Sequence, residues 1–258
     1  SLNRVGNALF DFEDRSILNS TEMGNVIASL EISNEEPITG DVTNANTSEI
    51  KRRIFDTFPT QNRAVTQADY ENLSYRMPAK FGSIKRVSAQ RDPDSKKRNL
   101  NMYVISEDSF GKLVSTNKTI KNNLKTWLNQ HRMINDTLDI IDPYIINYGI
   151  EFIIKPSSGA DKYITLNSAV EALKERFKAP MYIGEPIYIS DIYSTLKESP
   201  GVLDVIKVRL INKTGTNYSN ANIDINKNLS PNGDYLIIPK NAIAEMKYPE
   251  SDIQGKIR

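Results

Sequence analysis

The stretch Arg63-Ala-Val-Thr-Gln-Ala-Asp-Tyr-Glu-Asn-Leu-Ser-Tyr-Arg-Met-Pro78 spells out one short helix with both of its ends marked. Thr66 is placed as an N-cap whose hydroxyl accepts a backbone N–H, and Asp69, three residues on, reaches back to the cap. Tyr70, Leu73 and Met77 recur at helical spacing and so share one buried face. Pro78 lacks the N–H that a further turn needs, and the helix stops there. A strand over 83–89 follows, then a loop dense in turn formers from Arg91 to Lys97, then a second strand over 100–105.

A later segment repeats this plan. Asp191-Ile-Tyr-Ser-Thr-Leu-Lys-Glu-Ser-Pro200 matches Asp69-Tyr-Glu-Asn-Leu-Ser-Tyr-Arg-Met-Pro78, a helix opened by Asp and stopped nine residues later by Pro. Each copy then passes a glycine, Gly82 or Gly201, into a strand. Two readings stand side by side: a pair of related α+β modules, or coincidence, because helix–turn–strand is a common unit.

Working outward, Ser115 or Thr116 is the expected cap of a helix carrying Ile120, Leu124, Trp127, Leu128 and His131 on one stripe. Ile146, Tyr148, Ile150, Phe152 and Ile154 alternate without a break, the longest strand signal in the chain, and Pro156 ends it. Ser168 and Glu171 read as a second capping box for a helix with Val170, Leu173 and Phe177 inward and Pro180 beyond its end. A helix over 190–198, a strand over 205–211 with Ile206, Val208 and Leu210 on one face, a strand over 235–238 and a polar end complete the chain. Upstream, 48–55 reads as a short helix closed off by Pro59. The first 46 residues show no sustained period and read as extended segments and loops. A start at Ser1 rather than methionine fits a piece of something larger.

The expected fold is therefore α+β: two small related α+β modules with short helices packed on mixed or antiparallel sheets, preceded by an extended N-terminal segment. The divisions fall at 1–46, 47–156 and 157–258.

Composition narrows the function. The 258 residues carry 33 basic and 32 acidic side chains, a formal charge of +1, which argues against a protein built mainly to hold nucleic acid. There is no cysteine, which excludes disulfides, thiolate nucleophiles and Cys-based metal sites. A single histidine, His131, excludes a His-pair metal site within one chain. The apolar runs are too short to span a bilayer, and no charged start followed by an apolar stretch marks a secretory signal. Asn-X-Ser/Thr triplets such as Asn19-Ser20-Thr21 are what an Asn- and Thr-rich sequence makes by chance.

Apparent motifs dissolve on inspection. Lys213-Thr214-Gly215 resembles a motif of penicillin-recognising enzymes, yet no Ser-Asp-Asn accompanies it, and a turn after a strand accounts for it. Asn222, Asp224, Asn226 and Asn228 alternate like calcium-loop oxygens. However, the sixth and twelfth positions are Lys227 and Gly233, where an EF-hand needs Gly and Glu, so an edge strand or loop with Ile223 and Ile225 inward is preferred. His131 lies near a helix end, where it stabilises terminal carbonyls rather than serving as a general base. Arg86, Arg91, Lys96, Lys97 and Arg98 form a basic cluster diluted by Asp92 and Asp94, which reads as a solvated hairpin loop. No Gly-rich phosphate loop is present. The expectation is a chain that is not an enzyme and takes no cofactor, metal, nucleic acid, membrane or small-molecule substrate.

The string Arg63-Ala64-Val65-Thr66-Gln67-Ala68-Asp69-Tyr70-Glu71-Asn72-Leu73 closely resembles the hallmark of baseplate J-like proteins, in which Ala-Val-Thr-X-X-Asp-Tyr-Glu opens the helix of a structural module. Gly184-Glu185-Pro186 with its following apolar run, and Pro200-Gly201-Val202-Leu203-Asp204-Val205, look like that family's C-terminal pattern, and the run from Leu236 through Pro239 to Ala244 looks like its ending. Together these cover roughly 47–246 in the family's order. The resemblance implies a structural part of a contractile tail baseplate wedge. Such a part dimerises and links neighbouring wedges into the baseplate ring, with itself and other wedge proteins as partners, in the virion after assembly in the host cytoplasm. It implies no catalytic residues. Structural signature positions are Arg63, Ala64, Val65, Thr66, Asp69, Tyr70, Leu73, Pro78, Gly184, Pro186, Pro200, Gly201, Val202, Asp204, Val205 and Pro239. The Asn-, Lys- and Ile-rich style looks like that of a T-even phage. The loop 92–99, without glycine, departs from the short Gly-containing turn of relatives. The alternative reading is a carbohydrate- or receptor-binding tail module, since Tyr and Asn are plentiful and suit sugar contacts.

Overall fold

In a computed structural model of the chain, residues 19–29, 47, 50–51, 54–55, 63–78, 81–92, 99–108 and 110–258 are described. Within the segment expected to be extended, Ser20–Ser29 instead forms helix α1. Its cause is local: the Glu22 amide donates to Asn19 Oδ1 while the Asn19 amide donates to Glu22 Oε2, a reciprocal cap. The expected helix over 48–55 and the loop residues 93–98 lie largely outside the described residues.

The first sheet contains β1 (Arg86–Arg91), β2 (Asn99–Glu107), β3 (Leu113–Ser115) and β4 (Thr137–Ile141). β2 is central: β1 runs antiparallel along one edge, while the other edge is shared by parallel β4 and antiparallel β3. Helices α2 (Gln67–Tyr75) and α3 (Lys118–Asn129) cover it. Tyr70, Leu73, Met102, Val104, Ile120, Leu124 and Leu128 are fully buried in one core. Burial of each large apolar side chain is worth about 1.5–3 kcal/mol, so the covered face, rather than helix propensity, holds these short helices. The cap of α3 is Asn117, whose Oδ1 accepts from the Thr119 amide, one or two residues beyond the expected Ser115 or Thr116.

The second sheet is built on β5 (Tyr144–Pro156). β7 (Val202–Asn212) pairs antiparallel along one edge, and β9 (Ala242–Glu245) and β10 (Ile253–Ile257) pair parallel along successive halves of the other. β5, which the division at residue 156 groups with the first module, pairs only with strands of the C-terminal half. Ile146, Tyr148, Ile150, Phe152 and Ile154 all point into a core closed by α4 (Lys162–Arg176) and α5 (Ile189–Glu198). A small hairpin-like pair, β6 (Ile187–Tyr188) with β8 (Tyr235–Leu236), and two four-residue helices, α6 (Ile225–Asn228) and α7 (Pro249–Asp252), complete it.

Three local expectations are corrected here. Helix α4 opens six residues before Ser168, because Asp161 Oδ1 accepts from the amides of Tyr163 and Ile164; Ser168 and Glu171 therefore lie mid-helix. On β7 the register shifts opposite Ile153/Ile154 and again opposite Lys155/Pro156. Each shift inserts a residue, so Val205, Val208 and Leu210 face the core while Ile206 and Leu203 are left 44% and 55% exposed. The polar end contributes strand β10, whose pairing with β5 a periodicity reading misses because Gln254 and Lys256 interrupt the apolar run.

The two copies of the helix–Pro–Gly–strand unit occupy matching places. α2 and α5 each feed the antiparallel edge neighbour of the central strand, β1 or β7. Gly82 and Gly201 have φ of +110° and +82°, a region that disfavours any side chain. A Cβ on Gly82 would come within 2.6 Å of Ile120 in α3, and one on Gly201 within 2.5 Å of Thr165 Oγ1 in α4. The same turn therefore abuts the second helix of its module in both halves, although the elements follow one another in a different chain order.

Candidate functional site

The signature residues divide between the two cores. In the first, Ala64 is buried and its amide donates to the His131 carbonyl, which ties the entry of α2 to the end of α3. Thr66 and Asp69 form the capping box: the Asp69 amide donates to Thr66 Oγ1 at 3.2 Å, and Asp69 Oδ2 accepts from the Thr66 amide at 2.8 Å and the Val65 amide at 3.1 Å. Arg63 and Val65 are exposed. Tyr70 is fully buried and donates its hydroxyl to Asp136 Oδ2 at 2.7 Å. Burial first, and that bond second, push its phenol far above the usual range, so it stays a neutral donor. The bond fastens α2 to the turn that launches β4. Leu73 packs inward while its carbonyl accepts from Trp127 Nε1, and Pro78 is exposed beyond the helix end. His131 follows the end of α3, its ring edge-on to Trp127 at 4.9 Å.

In the second core the signature positions set turns. Gly184, with φ of +74°, donates its amide to the Ala242 carbonyl, and its Cα packs where a side chain would meet the Lys240 backbone. Pro239 accepts from the Ala242 amide, so the loops carrying Gly184 and Pro239 converge on the start of β9; half-buried Pro186 leads into β6. Pro200 is exposed, the Gly201 carbonyl accepts from the Ser157 amide, and Val202 pairs with Pro156. Asp204 is exposed opposite Lys155, and Val205 enters the core.

The joint between the halves rests on residues outside the signature. Arg86, expected in a solvated loop cluster, is 4% exposed. It donates to the carbonyls of Lys85 and of Pro180 in the other half, and its guanidinium lies 4.5 Å from the centre of the Tyr182 ring. Beside it, Lys85 and Glu107 form a buried ion pair at 2.7 Å. Ile105 and Leu113 of the first sheet pack with Ile243 of the second, and Gln90 donates to the Lys240 carbonyl. Glu245 accepts from the Leu113 amide at 2.7 Å and from Asn147 Nδ2 at 2.9 Å, while Asn147 Oδ1 accepts from the Ser219 amide. Burial raises the Glu245 carboxyl above its ordinary range, against the lowering by those two donors. Asn147 within β5 and Glu245 at the end of β9 are polar residues inside apolar runs, and that interruption is the signal a sequence reading could have used. Fully buried Asp252 accepts from the Tyr218 hydroxyl and the Tyr248 amide, holding the start of β10.

A cleft of about 430 Å³ opens along this joint. Its lining includes Lys112, whose ammonium lies 3.7 Å from the centre of the Tyr248 ring, and Lys174, which bridges Glu171 and Glu250 at 2.8 and 2.6 Å. The bonds to Glu171 and Glu250 raise the Lys174 ammonium above its ordinary value. The two carboxylates are thus neutralised by one cation rather than poised as an acid–base pair. Among the described residues no three His, Asp or Glu side chains are grouped to hold a metal ion, and no helix is long and apolar enough to cross a membrane.

The outer strand edges carry a device that the sequence did not announce. On β1 the outward amides of Val87 and Ala89 donate to Tyr75 Oη and Glu71 Oε1, at 3.0 and 2.8 Å. On β7 the Val208 amide donates to Tyr193 Oη at 3.1 Å. Glu71 and Tyr193 are both third in their copies of the repeated helix. Each helix therefore blocks amides that would otherwise template a foreign strand. The alternating stretch 222–228, expected as an edge strand or loop with Ile223 and Ile225 inward, is a loop running into α6, with Ile223 buried and Ile225 packed against the second core.

No family model and no curated protein matches the sequence. Among solved structures, a chain of the "Cryo-EM structure of the anti-feeding prophage (AFP) baseplate, 6-fold symmetrised" is similar at a TM-score of 0.45 and 14% identity. The match covers 80% of this chain and 42% of that one, so this chain spans less than half the length of the protein it matches.

Proposed function

We propose that this chain is a structural component of a phage tail baseplate wedge, corresponding to the C-terminal portion of the large wedge protein of T-even contractile-tailed bacteriophages. It dimerises and links neighbouring wedges into the baseplate ring, inside the virion, after assembly in the host cytoplasm. One observation carries the reading: the baseplate J-like signature residues fall on a helix cap, two positive-φ turns and strand entries, positions that aim elements rather than bind a substrate. The joint supports it, because Arg86, Glu245 and the Ile105–Leu113–Ile243 contact hold two cores together as one stiff part. Affinity isolation of the tagged chain from infected cells tests this. The other wedge proteins should co-purify in a large complex, and recovery of a lone monomer would count against it.

A carbohydrate- or receptor-binding tail module is the second reading. It draws on the Tyr188–Tyr235 ring pair, 5.8 Å apart on the outer side of β6 and β8, beside exposed Ile237. A glycan array of host-surface saccharides separates the two, since a wedge adaptor binds none.

A further inference from the structure

The open side of the second sheet has a composition that the fold does not use. Strand register places Arg209, Glu151 and Gln254 in one row across β7, β5 and β10, and Lys207, Ile153 and Lys256 in the next. Lys155 stands opposite Asp204 below them. α4 and α5 cover the opposite side, where Ile150, Phe152 and Ile154 point. Lys155, Lys207, Arg209 and Lys256 are exposed, and among the described residues no ion pair engages any of them. Half-buried Ile153 lies between two lysines, an apolar centre with a cationic rim.

The charge that answers this face lies in the chain itself. Residues 1–46 contain eight acidic side chains, among them Asp11, Glu13, Asp14, Glu31, Glu35 and Glu36, against only Arg4 and Arg15, a net charge of −6. Residues 47–258 carry 31 basic and 24 acidic side chains, a net charge of +7. The near-neutral total hides two opposed blocks. Glu22, the acid of the described helix α1, is exposed and is bonded to the Asn19 amide, not to a cation of the sheet.

We propose that the acidic segment 1–46 of one copy docks on the open basic face of the second sheet, centred on Ile153, of a second copy. The proposal rests on the wedge reading, in which copies dimerise, and names the two surfaces that meet. Complementary charge of this kind sets partner register and speeds encounter, and it is screened by salt. Blocked outer edges on β1 and β7 direct association towards this face rather than towards strand addition.

The test is a charge swap in the full chain, read by sedimentation velocity at low and high salt. The face variant carries Lys207→Glu, Arg209→Glu and Lys256→Glu; the segment variant carries Glu31→Lys, Glu35→Lys and Glu36→Lys. Self-association of the natural chain should weaken on the order of tenfold to a hundredfold in each variant alone, and return when the two are mixed, because each then offers the other opposite charge. All six substitutions lie on exposed positions or in the segment, and circular dichroism confirms that both variants fold. Unchanged association in both variants overturns the proposal. Loss in each without recovery on mixing also overturns it, as does a monomer whose segment 1–46 loses hydrogen-exchange protection in the face variant, which indicates docking within one copy. Co-purification of either variant with the other wedge proteins is scored separately: if it persists while association is unaffected, the docking surface fails and the wedge reading stands.

Discussion

Substituting Gly201 by alanine tests whether the signature turns are as tightly specified as the structure implies. At φ of +82° an L side chain costs about 1–2 kcal/mol. The new Cβ would also come within 2.5 Å of Thr165 Oγ1, and Thr165 is 2% exposed on α4, so overpacking adds about 1–3 kcal/mol. Reduced freedom of the unfolded chain returns about 0.4–1 kcal/mol. The expected net loss is about 2–4 kcal/mol. In a Thr165→Ala background the hydroxyl and methyl are gone, and the nearest remaining Thr165 atom lies at 3.4 Å, so the same substitution should cost only its backbone strain, about 1 kcal/mol. Urea unfolding of the four proteins of this cycle gives the coupling directly. Circular dichroism follows both cores, while Trp127, the only tryptophan, follows the first. Costs that add within about 0.5 kcal/mol, or a Gly201→Ala loss below that size, would refute the account of this turn.

Tyr70→Phe removes the donor to Asp136 while keeping the ring, and should cost about 1–3 kcal/mol in the same unfolding assay without changing the circular dichroism. Glu245 titrates higher in the folded chain than in the unfolded one, so its contribution is fully present below the ordinary carboxylate range and is lost as pH rises through the folded value. The stability of the natural chain relative to Glu245→Gln should therefore decline as pH rises above the ordinary carboxylate range, and a flat or opposite trend would show that burial does not dominate at this carboxyl. Combining Glu71→Ala with Tyr75→Phe frees two outward amides of β1; concentration-dependent oligomers rich in β-structure should appear in sedimentation and infrared measurements, and an unchanged monomer would mean the edge is protected by other means.

Much of this architecture was legible because it is written locally. The Thr66–Asp69 box, the stop at Pro78 and the alternation from Ile146 to Ile154 each depend on residues close in sequence, and each appears where its chemistry places it. The caps at Asn19, Asn117 and Asp161 were local signals misread among competing polar residues, while the larger failures arose where a distant partner decides. The two bulges on β7 come from its pairing with β5, so Ile206 faces solvent despite a regular apolar spacing. Arg86 looked like one cation of a loop because its acceptor, the Pro180 carbonyl, lies 94 residues away. β10 was missed because its apolar positions are few and its strand character derives from β5 alongside it. The joint was marked in the sequence only by Asn147 and Glu245 interrupting apolar runs, and these acquire meaning only together with Leu113.

The proposed function makes this chain a fixed part of a tail baseplate. Cryo-electron microscopy of purified tails carrying a small globular tag on this chain locates it most directly. The account predicts tag density repeating around the ring at the baseplate end, in every wedge. Density confined to receptor-contacting fibre tips, or tails with no tag at all, would contradict it.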